Sequence, residues 1–192
     1  MMVASDFRDN DHESASAMPI KSRVRTIPDH PRPGIQFRDI TTLLQDPVGF
    51  RITVDELVNR YRHQNIHKVV GIESRGFILG APVAYAIGAG FVPIRKHGKL
   101  PAQTIGQDYE LEYGADRVEI HTDAIAAGER VLLIDDLIAT GGTALAAIAL
   151  IDQLGGHLLE CAFAISLPDI GGIEKLQARG IATHVLTEFE GH

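Results

Sequence analysis

Cysteine is nearly absent: Cys161 stands alone in 192 residues, so no internal disulfide can staple this chain. Its neighbours Ala162, Phe163, Ala164 and Ile165 put it in a predicted strand interior, and a buried free thiol fits a reducing, cytoplasmic compartment. No apolar stretch is long enough to span a bilayer, so no membrane association is expected. The opening residues, Met1 to Ala17, are polar and acidic and lack both the basic region and the apolar core of a secretory signal. Positive charge is short as well. A net charge of −7 argues against a general nucleic-acid binder, even though Asp6, Asp9, Asp11 and Glu13 against Arg8 account for three of those charges. The nine histidines show no His-Glu-x-x-His or other ligand spacing, which excludes an obvious protein-ligated metal. A Walker A loop is missing too, because the only Gly-Lys, Gly98-Lys99, is followed by Leu100.

What is present is ordinary for a globular chain: 45% hydrophobic and 22% charged residues, at a length that suits one domain. Residues 1–18 mix Asp, Ser, Asn and Ala without periodicity and are expected to be a disordered extension, with one domain over 19–192. Between Ile27 and Ile40, Pro28, Pro31, Pro33 and Gly34 predict a rigid, irregular loop. Asp46-Pro47 reads as an N-cap and first helical residue before an apolar stripe of Phe50, Val54, Leu57, Val58 and Tyr61. Strands at 67–72, 90–95, 131–134, 159–166 and 182–186 then alternate with helices at 77–87, 143–154 and 173–179. That rhythm predicts an α/β fold, a mainly parallel sheet flanked by helices on both faces. Between Lys96 and His121 the pattern changes to Gly, Pro and Gln, then to alternating segments at 109–113 and 118–120, as for an inserted mobile hairpin.

The run Val131-Leu132-Leu133-Ile134-Asp135-Asp136-Leu137-Ile138-Ala139-Thr140-Gly141-Gly142-Thr143 carries the strongest chemical signal. Four aliphatic residues suit a strand covered on both faces, and ligands of open α/β sheets bind at the carboxyl end of such strands. Asp135 and Asp136 fall there, and carboxylates that only accept hydrogen bonds suit adjacent hydroxyls such as those of a ribose. The small residues Ala139 to Thr143 let an anion approach backbone N–H groups at the start of the following helix. Hydrophobic strands can also end in solvated Asp-Asp pairs, but the small-residue loop argues against that here.

Two further clusters point the same way. Gly71-Ile72-Glu73-Ser74-Arg75-Gly76-Phe77 leaves a strand and enters a helix, another anion-facing turn, and it is not the Gly-x-Ser-x-Gly of a serine hydrolase. Arg95-Lys96-His97-Gly98-Lys99-Leu100-Pro101 is the densest positive cluster in an acidic chain; arginine grips phosphate oxygens in pairs, lysine as a point charge.

Together these motifs resemble type I phosphoribosyltransferases, and within them the adenine-specific family. Val131–Thr143 resembles the motif that binds phosphoribosyl pyrophosphate (PRPP), and Glu73-Ser74-Arg75 the pyrophosphate loop, in which a non-proline cis peptide is typical. Leu111-Glu112-Tyr113-Gly114, with the 95–101 cluster, is similar to the family's mobile catalytic flap, and Pro31 to Ile40 to its adenine-recognising hood. The resemblance runs from about Val24 to His192; Gln36 stands at a hood position often apolar. It implies PRPP binding by Glu73, Ser74, Arg95, Lys96, Lys99, Asp135, Asp136, Ala139, Thr140, Gly141, Gly142 and Thr143. It implies adenine binding by Gln36, Phe37, Arg38 and Leu167, with Phe37 and Leu167 on either side of the ring. Glu112, Arg75, Asp135 and Asp136 become the candidate catalytic residues, and Tyr113 closes with the flap.

The implied reaction is adenine + PRPP to AMP + pyrophosphate, with Mg²⁺ held chiefly by substrate oxygens and a homodimer in which one subunit's basic segment reaches toward its neighbour's site. A PRPP-sensing regulatory protein, or a transferase for guanine, xanthine or orotate, remains as the alternative. Only the first would be marked by a degraded flap or hood, and both segments are intact.

Overall fold

The computed structural model describes residues 20–110 and 114–191, and among these the expected alternation becomes a seven-stranded sheet beside a separate two-stranded ribbon. The ribbon comes first: β1 (Arg25–Pro28) pairs antiparallel with β2 (Gln36–Asp39), placing Thr26 opposite Arg38. This corrects the expectation of an irregular loop over 27–40. The prolines behind that expectation fall at the last residue of β1 and in the connecting turn, where Pro31 follows a cis bond, so the middle of the ribbon keeps its donors.

A short helix that no sequence signal announced, α1 (Thr41–Gln45), leads into α2 (Pro47–Tyr61). Asp46 caps α2 as expected, accepting from the Val48 N–H at 3.0 Å. Leu57, Val58 and Tyr61 of the predicted stripe are buried, and Phe50 and Val54 pack against them.

The main unit runs β3 (Lys68–Ile72), α3 (Arg75–Ile87), β4 (Gly90–Lys96), β5 (Thr104–Glu110), β6 (Ala115–His121), β7 (Arg130–Ile138), α4 (Gly142–Gln153), β8 (His157–Ser166), α5 (Gly172–Gln177) and β9 (Thr183–Glu188). The strand order is β5-β6-β4-β3-β7-β8-β9, parallel from β4 through β9. The 96–121 insertion forms a β5–β6 hairpin that joins the β4 edge antiparallel through Arg95 opposite Glu119 and Lys96 opposite Val118. Its first strand starts at Thr104, earlier than the alternation at 109–113 suggested.

Period-two alternation sorts the central strands between two cores. Val69, Leu132 and Ile134 pack with Leu79 and Val83 of α3 on one face; Val70, Val131 and Leu133 pack with Ala147 and Leu150 of α4 on the other. The chain therefore leaves β3 by a helix on one face and β7 by a helix on the opposite face, although β3 and β7 are neighbours. Such a reversal opens a crevice at the carboxyl ends of the two strands. Cys161 is fully buried in the second core, and burial pushes its thiol up to about 12, so it packs as an apolar side chain.

Candidate functional site

A cleft of about 400 Å³ lies in that crevice. It is lined by Glu73, Ser74 and Arg75 after β3, by Asp135 and Asp136 of β7, by the loop Ala139 to Thr143, and by Lys96 at the end of β4. Three segments distant in sequence thus meet at one point because the sheet topology brings their strand ends together. Gly141, at φ 78°, makes the left-handed bend that starts α4 and leaves the first N–H groups of that helix without intrahelical partners. Gly76 answers a different need: a Cβ there would stand 2.8 Å from the Ile134 carbonyl oxygen and 2.9 Å from Asp135 Oδ1, so only glycine lets α3 begin against β7. The Glu73–Ser74 bond is cis.

The acidic pair is short of partners. Asp135 Oδ1 accepts the Asp136 N–H at 2.9 Å. Asp136 is 4% exposed; its Oδ2 lies 2.7 Å from Arg75 Nε but off line for a hydrogen bond, which leaves that buried oxygen without a donor. Asp135 keeps some surface open to the cleft, yet the protein atoms around its carboxyl hold its pKa well above the usual aspartate value, and the charge of Asp136 adds to the effect. Burial raises Asp136 as well, against the opposing pull of Arg75.

The positive cluster is divided. Lys96 faces the cleft, its Nζ 2.5 Å from both the Tyr109 hydroxyl and Asp116 Oδ2. Burial works against its charge, but Asp116 and Tyr109 outweigh it and the lysine pKa is raised. Arg95 is held at the rim, donating to Glu73 at 3.2 and 3.3 Å and to the Lys99 carbonyl at 3.1 Å; Glu73 also accepts the Lys96 N–H at 3.0 Å. Arg95 keeps the Glu73 carboxyl below the usual glutamate range. Lys99 is exposed, and neither it nor Arg95 lines the cleft. From β6, buried Glu119 accepts the Gly98 N–H at 2.9 Å and meets His97 Nδ1 at 2.5 Å, which lowers its pKa.

The other expected site residues lie elsewhere. Gln36, Phe37 and Arg38 are half-buried in β2, Phe37 edge-on to His30 at 5.1 Å between ring centres. Leu167 is buried beside the cleft wall, its N–H donating to the Ile138 carbonyl at 3.1 Å. None of these four lines the cleft. Glu112 and Tyr113 fall outside the described residues, as does the 1–18 segment. Sequence reasoning missed Tyr109, Asp116 and Glu119. Hairpin register would have found two of them, since Tyr109 lies opposite Asp116, and Asp116 sits two residues from Val118, the partner of Lys96.

A family model described as a phosphoribosyl transferase domain matches residues 41–176. The adenine phosphoribosyltransferase of Nitrosospira multiformis is 63% identical over 175 residues, 91% of this chain and 100% of that protein. Among solved structures, the adenine phosphoribosyltransferase of Rhodothermus marinus is similar at 50% identity and TM-score 0.82, covering 88% of this chain and 96% of that one. The Saccharomyces cerevisiae enzyme, solved with an imino-altritol bisphosphate and adenine, is similar at 40% identity and TM-score 0.81, covering 88% and 97%.

Proposed function

The chain belongs to the phosphoribosyltransferase family, and we infer that it is an enzyme of purine salvage that converts adenine and PRPP into AMP and pyrophosphate. The observation that carries this reading is the similarity to adenine phosphoribosyltransferases over nine-tenths of this chain and the whole length of a relative. The cleft fits it. Asp135 and Asp136 offer acceptors to two ribose hydroxyls, while the Ala139–Thr143 loop and the start of α4 offer N–H donors to a 5′-phosphate.

In the reaction the bond from C1′ to pyrophosphate breaks and a bond to adenine N9 forms, leaving positive charge on the ribose ring as pyrophosphate departs. The carboxylates hold that sugar, and Lys96 and Arg75 sit where they can meet the departing anion. Arg95 and Lys99 would join from the rim. Asp135 and Asp136, carboxylates lining the cleft, are hard oxygen donors of the kind Mg²⁺ takes; an ion held chiefly through PRPP oxygens would face them and would neutralise pyrophosphate charge. Adenine must lose a ring proton as N9 attacks; with that proton on N7, Glu112 would accept it there, or stabilise the charged base, once the flap segment, with Tyr113, closes over the site and excludes water. Glu112→Gln should lower single-turnover rates by roughly 10²-fold while PRPP binding stays near that of the unaltered protein. An unaltered chemical step would deny Glu112 a proton role.

The ribbon supplies the base pocket in this reading: backbone groups from Gln36 to Arg38 read the 6-amino group and N1, and Phe37 and Leu167 flank the ring. Among the described residues no helix is long and apolar enough to cross a membrane. We propose a cytoplasmic location on a separate ground, the reducing compartment that a single buried free thiol, Cys161, suits. We also propose a homodimer. Ile78 and Tyr85, 44% and 89% exposed, stand about two turns apart on one face of α3, apolar surface that a second copy can cover; light scattering reads the mass directly. The function itself is tested with PRPP and a panel of adenine, hypoxanthine, guanine, xanthine and orotate. Adenine should be preferred over hypoxanthine by up to ~10⁴-fold, because hypoxanthine reverses the donor and acceptor at both contacts. Comparable turnover of the two would overturn the assignment.

A further inference from the structure

We propose that the chain end Phe189–Gly191 is a strap that positions the adenine pocket, with Arg38 and Asp169 as its two positioning residues. The proposal rests on the reading that β2 and Leu167 hold the base. Those two walls lie far apart in sequence, and among the described residues no strand pairing joins the β1–β2 ribbon to the seven-stranded sheet.

The strap makes that connection. Although Arg38 belongs to β2, its guanidinium turns away along the ribbon and donates to Thr26 Oγ1 at 2.6 Å and to the Glu190 carbonyl at 2.8 Å. Its carbon stands 4.8 Å from the centre of the Phe189 ring. Phe189 is buried in the same core cluster as Ile40, just after β2, and Leu167. Its N–H donates to the Ser166 carbonyl at 3.0 Å, one residue before Leu167. One step further, the Gly191 N–H donates to Asp169 Oδ2 at 2.7 Å, on the turn that follows Leu167. Three consecutive residues thus fasten the ribbon on one side and the 166–169 turn on the other. Of the Arg38 guanidinium nitrogens, one bonds within the ribbon and one reaches the strap, while the buried Nε has no partner among the described residues.

Loss of either anchor should let one pocket wall drift while the PRPP cleft, built on β3, β4 and β7, keeps its shape. Arg38→Met retains length and removes the donors; its KM for adenine should rise about tenfold, as for one lost charge-assisted hydrogen bond, with the KM for PRPP within about twofold of the unaltered protein. Asp169→Ala should raise the adenine KM by a few fold, and Asp169→Asn, which keeps an acceptor, should restore it. The double variant Arg38→Met/Asp169→Ala should cost less than the product of the single effects, since both cut one connection. Asp169→Ala removes a single exposed hydrogen bond, so it carries the test should Arg38→Met fail to fold. An unchanged adenine KM in Asp169→Ala, or equal rises for adenine and PRPP, would overturn the strap. Failure of the unaltered protein to use adenine would instead overturn the functional reading beneath it.

Discussion

The carboxylates around the cleft divide into two sorts. Asp136 is buried and Asp135, half-buried, opens to the cleft; Arg75, the cation beside Asp136, stands off line for a hydrogen bond, and burial lifts both pKa values. Glu73 faces the Arg95 guanidinium and Glu119 the His97 ring, each also accepts a backbone N–H of the 95–99 segment, and these side-chain contacts lower both pKa values. The second pair has its partners within the fold and shapes the basic segment. The first pair lacks them and opens on a cleft, an arrangement that costs the empty protein stability and is relieved when hydroxyls or cationic charge arrive. Unmet hydrogen-bonding capacity distinguishes the group that waits for a ligand from the group that holds a loop.

Neutralising these carboxylates one at a time should separate the two roles. The largest effect is expected at Asp136→Asn, which keeps the shape and removes charge beside a cationic ribose; steady-state assay should show turnover lower by about 10²-fold. Glu73→Gln should act more gently, raising the KM for PRPP about tenfold as Arg95 and Lys96 lose their common anchor, with kcat less affected. The smallest effect belongs to Glu119→Gln, farther from the cleft. Its folded pKa is depressed, so the stability it lends is complete above the ordinary value of 4.5 and is lost as pH falls through the lowered folded value. The variant should melt about 2–4 °C lower at neutral pH, the scale of ~1 kcal/mol in a chain of this size, and show a flatter loss of Tm in acid. An equal activity loss in Glu119→Gln and Asp136→Asn would erase the distinction.

Much of the cleft was legible in the sequence because its parts are contiguous motifs. The β7 end and its glycine loop form one unbroken run, and the 73–75 turn is announced by a strand before it and a helix after it. The parallel sheet followed from apolar runs alternating with helical stripes. What escaped depends on pairing across distance. The β1–β2 ribbon hid behind prolines that in fact occupy its turn and strand end, and Asp116 and Glu119 acquire meaning only once β6 is placed against β4. Composition marked 95–99 as one positive cluster, yet the fold turns Lys96 inward, ties Arg95 to Glu73 and leaves Lys99 exposed. A charge run does not reveal which of its members faces a site.

Thermal unfolding of ligand-free Asp135→Asn beside the unaltered protein tests the central contrast most directly. A carboxyl whose folded pKa is raised binds its proton more tightly folded than unfolded, so stability declines as pH rises from the ordinary value of 3.8 through the raised folded value. At neutral pH the acidic pair therefore leaves the empty protein less stable than it is in acid, where both carboxyls are protonated folded and unfolded. Asp135→Asn should raise Tm by about 2–4 °C, the scale of ~1 kcal/mol here, while its turnover falls by about 10²-fold. A Tm that drops together with turnover would contradict the account and make the acidic pair a structural element like Glu73 and Glu119.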